Sequence, residues 1–250
     1  MRNGEVCKAF SAGKDDLEKI NRYTRSELKE SDVYVFSLTL CDNEIDRDFE
    51  RFTVDALKTL TELFVGKTGI VDHNPSAHNQ VARIYDTWVE AERGKQTAAG
   101  EPYYRLRAKA YIPRGETTDP IIRDVDTGIK KEVSVGLRIG RRTCSVCGAD
   151  NMLCEHRQGR EYDGKVAHCI LDSPTDAYEW SFVAVPAQRA AGVTKSFSQE
   201  QIGDVLQSLL GCDLTGHTQT IRKLMYLSLN DGERLQRQEI IEQNKKYLEV

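Results

Sequence analysis

Cys144 and Cys147 are separated by two residues, and Cys154 and His156 follow closely. Thiolate and imidazole are the ligands a tetrahedral zinc ion takes four at a time, and Gly148 after the second cysteine lets a Cys-x2-Cys knuckle turn. The four residues can close a coordination shell by themselves. A catalytic zinc keeps one position open, so the spacing predicts a structural site. Cys169 is an alternative to His156 as fourth ligand, with His168 beside it. Of seven cysteines, four crowd between 144 and 169 while Cys7, Cys41 and Cys212 stand alone, a distribution that favours metal over disulfides.

A second set of residues is spread over four segments: SLTLCDNEIDRDFERFTVDAL, then IVDHN with His73, then EVSVGLRIG with Ser134, then AYEWSFVAVPAQRAAGV with Glu179. In this order and at these intervals they resemble the prohead maturation proteases of tailed bacteriophages, distant relatives of the herpesvirus assemblins. The resemblance covers residues 32–195; its most specific pieces are the Ser-Val-Gly run and the Glu-x-Ser-x-Val-x-x-Pro-Ala segment. It implies a Ser nucleophile, a His base and an acidic residue holding the His, on a small β-barrel with helices around it. Matched by segment, the roles fall on Ser134, His73 and Glu179.

The chemistry suits those residue types. A serine hydroxyl is a poor nucleophile until a neutral imidazole takes its proton, and a carboxylate on the far ring nitrogen fixes the tautomer. Ser134 lies between Val133 and Val135 in a strand pattern, and Gly136 permits close approach of a substrate backbone. For the third role Asp72, Asp172 and Asp176 stay open beside Glu179. His78 falls in a polar loop and reads as a surface residue, and Arg141 and Arg142 read as solvated.

The elements that must position these groups can be outlined from periodicity. DVYVFSLTL is a strand, closed by the polar CDNEIDRD. Residues 52–65 carry apolar side chains on one helical face, with Thr53 as N-cap and Gly66 ending the helix. QVARIYDTWVEAE and YYRLRAKAYI alternate as an antiparallel pair, residues 119–126 form a short helix, and KKEVSVGLRIG is again a strand. Two further strands are expected at KVAHCIL and YEWSFVAVP. The fold class expected is α+β: a small closed or nearly closed antiparallel β-barrel flanked by helices, since closure removes exposed edges.

Three regions follow: a charged N-terminal arm over residues 1–31, the barrel domain over 32–195 with a zinc-stapled insertion at 141–169, and a helical, charged tail over 196–250. The insertion lengthens the connection between the Ser and Glu strands, which puts the register of Glu179 in question. With 35 basic against 39 acidic residues the chain has no global positive field to gather nucleic acid. No stretch has the apolar core of a signal peptide or the ~20 apolar residues of a membrane span.

The function expected from the resemblance is an endopeptidase acting within assembling proheads in the cytoplasm of an infected bacterium. Its substrates would be scaffold and major capsid protein, and the chain itself is a candidate homo-oligomer. Two other classes compete: a non-catalytic assembly or scaffolding protein on the same fold, and a zinc-stapled nucleic-acid binder suggested by RIGRRTCSVC.

Overall fold

In the computed structural model, which describes residues 11–194, strand β1 (Val33–Asp42) is buried at all ten positions. Its nearly unbroken apolar run suits a strand covered on both faces. Val33 and Val35 pack with Tyr85 and Tyr111 against Ile20 of helix α1 (Lys14–Asn21). Tyr34, Phe36, Leu38 and Leu40 point the other way, into the main core. Part of the expected N-terminal arm is therefore integral to the fold. Ile20 is fully buried, and Lys19 pairs with Asp86 at 2.6 Å.

The main core is capped by helix α2 (Val54–Phe64), whose Ala56, Leu57, Leu60 and Phe64 are buried on one face. Thr53 caps it as expected, its hydroxyl accepting the Ala56 N–H at 3.0 Å. The remaining elements are β2 (Glu50–Phe52), β3 (Thr68–Val71), β4 (Ala82–Gln96), β5 (Pro102–Pro113), α3 (Asp119–Asp126), β6 (Val133–Cys144), β7 (Glu161–Tyr162), β8 (Lys165–Val166), β9 (Cys169–Phe182) and β10 (Gly192–Thr194).

Eight strands form one sheet in the order β10-β1-β5-β4-β3-β9-β2, with β6 also on β9. The expected β4–β5 antiparallel pair is present. The expected closure and uniform antiparallel pairing are not. β2 and β3 both run parallel to β9, and the sheet is open. The start of β6 approaches β10 only through one bridge, between Glu132 and Gly192. The class is thus α+β with a mixed sheet.

One long strand also replaces the two expected near the end of the domain. β9 runs unbroken through Pro174 because two register shifts against β6 absorb extra residues there, and a bulge tolerates proline. β6 and β9 form a long hairpin with the cysteine insertion at its tip. The helical tail expected over 196–250 lies outside the described residues.

Candidate functional site

β9 is the strand around which the site is arranged. β3 pairs with its C-terminal third, Val71 opposite Phe182, and β6 takes its other edge along the whole length. The hairpin register sets Ser134 opposite Ser181 and Gly136 opposite Glu179. Directly opposed residues project to the same face, so these four share one face. Trp180, Phe182 and Val133 project to the other, into the core.

Beyond β3 the chain turns through Asp72 (φ 54°) and His73 (φ 51°), two consecutive left-handed residues without glycine. Such residues cost on the order of 1 kcal/mol or more each and persist only where surroundings hold them. Here the Asp72 N–H donates to the Phe182 carbonyl at 3.0 Å, the His73 N–H to Ser181 Oγ at 3.0 Å, and Asn79 Nδ2 to the Val71 carbonyl at 2.7 Å. The turn delivers the imidazole to Glu179, with His73 Nδ1 2.8 Å from Glu179 Oε1.

The other carboxylate oxygen, Glu179 Oε2, accepts the Ser181 hydroxyl at 2.8 Å. Ser181, fully buried, thus links the His73 backbone to the carboxylate its ring contacts. Opposite, a Cβ on Gly136 would lie 2.3 Å from Glu179 Oε1. Glycine there leaves the space the carboxylate occupies.

An ionised Glu179 accepts from the ring nitrogen it faces, which assigns the proton to Nδ1 and leaves Nε2 as the basic atom. The His73 side chain is 43% exposed and that of Glu179 13%, so the ring reaches solvent while the carboxylate behind it is shielded. Ser134, half-buried on β6, makes no side-chain hydrogen bond among the described residues, to His73 or to any other group. β3 and β6 flank β9 at about 4.8 Å each, so imidazole and hydroxyl approach from strands roughly 10 Å apart.

Of the carboxylates left open by sequence, Glu179 is the one hydrogen-bonded to the His73 ring among the described residues, while Asp72, just before it in the turn, is exposed. Asp172 accepts from Thr53 Oγ1 at 2.9 Å and pairs with Arg141, and Asp176 pairs with Lys67 at 3.6 Å. The arginines expected to be solvated are both in ion pairs, Arg142 with Glu50 at 2.6 Å. His78 is exposed, as expected. Ser181 lies within the Glu-x-Ser-x-Val-x-x-Pro-Ala segment, but nothing in that segment assigned it a role of its own beside Glu179.

At the far end of the hairpin, Cys144, Cys147, Cys154 and His156 gather with their ligand atoms all within 4.8 Å of one another, an arrangement that can hold a metal ion. The Gly148 N–H donates to the Cys144 carbonyl at 2.9 Å, and Gly148 takes the left-handed conformation (φ 73°) that the knuckle needs. Burial pushes the Cys144 thiol up, but hydrogen bonds from the N–H groups of Cys147 and Val146 and from neighbouring thiols outweigh it and lower the pKa. His156 Nδ1 is buried with no hydrogen-bond partner, a cost that a metal bond would remove. A set of three sulfurs and one imidazole nitrogen suits a soft or borderline cation. Cys169, buried opposite Cys144 in the ladder, is not part of the group.

Among the described residues, no helix is long and apolar enough to cross a membrane. Compared with protein-family models, with curated proteins and with solved structures, the chain matches none.

Proposed function

We propose that the chain is a serine endopeptidase of the prohead-maturation kind, with Ser134 as nucleophile, His73 as general base and Glu179 as the carboxylate that orients it. The observation that carries this reading is the 2.8 Å contact between His73 Nδ1 and Glu179 Oε1, made on the face of β9 that Ser134 shares from the neighbouring strand. A strained turn held by three hydrogen bonds, aiming a histidine at a shielded carboxylate, is the kind of local expense that concentrates at functional sites.

In the proposed cycle, substrate binding brings the Ser134 hydroxyl within reach of His73 Nε2, since catalytic hydrogen bonds often tighten only in the complex. Ser134 Oγ attacks the scissile carbonyl as its proton passes to Nε2. The imidazolium is stabilised by Glu179 and returns the proton to the leaving amine. Water then hydrolyses the acyl-enzyme by the same route. The substrates proposed are scaffold and capsid-protein segments, cut within the assembling shell in the host cytoplasm.

Cys144, Cys147, Cys154 and His156 would hold a structural zinc ion. When bound, the ion supplies a cross-link that ties the hairpin tip together.

The test is labelling of the full chain by a small fluorophosphonate, followed by intact mass. Ser134 is expected to take up the label, and Ser134→Ala and His73→Ala to abolish it. Co-expression with the capsid and scaffold partners should give truncation of one of them with wild type and none with Ser134→Ala. The absence of a Ser134–His73 hydrogen bond favours one other reading, a non-catalytic assembly protein. That reading gains if a folded wild-type chain takes up no label.

A further inference from the structure

Cys169 is fully buried at the start of β9, and neither the proposed catalysis nor the metal-ligand group makes use of it. It stands opposite Cys144 in the β6–β9 ladder. The N–H groups of the two residues point away from each other: that of Cys144 donates to the Ala149 carbonyl at 2.9 Å, and that of Cys169 to the Phe49 carbonyl at 2.8 Å. The next rung makes the cross-strand bond, from the Ser145 N–H to the His168 carbonyl at 3.0 Å. Cys144 and Cys169 are thus a non-hydrogen-bonded pair, whose Cα atoms lie about 4.5 Å apart with side chains on one face at their closest. A disulfide spans roughly 4.4–6.8 Å between Cα atoms, so the ladder sets this pair within bonding range.

Two different constraints bring thiols to Cys144. Cys147 and Cys154 reach it through the loop beyond β6, their sulfurs within 4.8 Å. Cys169 is held by the strand pairing itself, with Arg142 opposite Leu171 and Thr143 opposite Ile170 leading up to the rung. Loop residues without a metal ion are free to move apart, whereas paired strands keep one thiol at high effective concentration beside the other. Burial shields Cys144 and Cys169 from direct attack, but Cys147 is exposed.

We infer that Cys144 and Cys169 are a redox pair, joined under peroxide as a cross-strand disulfide that closes the root of the insertion and withdraws Cys144 from the metal-ligand group. The exposed Cys147 thiolate attacks a peroxide oxygen and becomes a sulfenic acid as hydroxide leaves. The Cys144 thiolate then displaces hydroxide from that sulfur, forming a Cys144–Cys147 disulfide. Finally the Cys169 thiolate attacks the Cys144 sulfur and expels the Cys147 thiolate. In sum two thiols and one peroxide give one disulfide and two waters, the thiols losing the two electrons that the peroxide gains. The disulfide is independent of the endopeptidase reading, and its competition with metal rests on the proposed zinc site.

In the experiment the full chain, reduced and freed of metal by chelation, is treated with hydrogen peroxide, alkylated and digested with trypsin. Cleavage leaves Cys144, Cys147 and Cys154 on residues 143–157 and Cys169 alone on residues 166–189. The expected product is these two peptides joined, with fragmentation placing the bond at Cys144. Links confined to residues 143–157, or a bond from Cys169 to any other cysteine, overturn the pair. So does an equal yield of the Cys144–Cys169 link from chain oxidised in denaturant, where no ladder selects it. Zinc added before peroxide should slow the link about tenfold when about nine-tenths of the sites are filled, because a metal-bound thiolate is not free to react. An unchanged rate overturns the competition. Equilibrium dialysis with zinc then shows which premise failed: no uptake removes the zinc site, and full uptake shows that disulfide and metal coexist.

Discussion

Gly136 and Glu179 face each other across the β6–β9 ladder so closely that a Cβ on Gly136 would lie 2.3 Å from Glu179 Oε1. The oxygen it would strike is the one bonded to His73 Nδ1. Any side chain at 136 must displace the carboxylate or move the strand.

Under the proposed endopeptidase reading, Gly136→Ala is therefore expected to shift Glu179 by about an ångström and slow fluorophosphonate labelling of Ser134 on the order of a hundredfold, the cost of a displacement of that size among groups that must be aligned. Circular dichroism should show a folded chain, since the added methyl meets a half-shielded side-chain oxygen and not the core. Labelling at the wild-type rate would show that the His73–Glu179 contact does not limit the chemistry.

Ser181→Ala removes two partners together: the acceptor of the His73 N–H and the donor to Glu179 Oε2. Leaving such groups unsatisfied costs about 1–3 kcal/mol, which chemical denaturation would measure. The backbone turn at His73 should loosen as well. Faster hydrogen exchange at the His73 amide, with slower labelling, is the signature of lost positioning; unchanged exchange would deny Ser181 that role.

If the proposed structural zinc is bound, chelation should remove one ion per chain and lower the melting temperature by several degrees, because metal-binding energy is folding energy at a loop closed by its own ligands. Cys147→Ser, at the exposed ligand, should reproduce the shift and open residues 145–168 to protease digestion. Should metal content stay at zero in protein purified with zinc present, the cysteines are simply reduced thiols at a hairpin tip.

His168 supplies a pH dependence. Burial is the largest influence on it and, with Arg51 Nε 3.2 Å from its Nε2, holds its pKa below the ordinary value of 6.5. The folded chain keeps this imidazole neutral, so below pH 6.5 the unfolded chain binds more protons. The associated stability is present above 6.5 and is lost as pH falls through the lowered value. Melting temperatures at pH 7.5 and pH 5.0 should differ less in His168→Gln than in wild type; an equal difference would place the acid sensitivity elsewhere.

Local periodicity was enough for α2, for the β4–β5 pair and for the short helix ending at Asp126, because in each the apolar spacing, caps and turns agree. The gathering of Cys144, Cys147, Cys154 and His156, which could hold a metal ion, was equally legible, since the four residues are close in the chain and need only one loop to meet. What the chain could not announce were relations between distant segments. DSPTDA fell between the two strands expected there, yet β9 runs through it, its extra residues taken up in two register shifts against β6. Parallel pairing of β2 and β3 with β9, which leaves the sheet open, depends on connections that carry no local mark. The charged α1 segment likewise reads as solvated until Asp16 meets Tyr85 at 3.0 Å and Lys109 at 2.9 Å.

The position of the cysteine insertion has a consequence for how such a chain can vary. Residues added where a hairpin reverses lengthen the excursion without sliding one strand past the other. Ser134 and Cys144 sit ten residues apart on β6, about 34 Å at full strand rise. Matter grafted onto that remote bend can change in size or composition between descendants while the spacing of hydroxyl, imidazole and carboxylate is inherited intact.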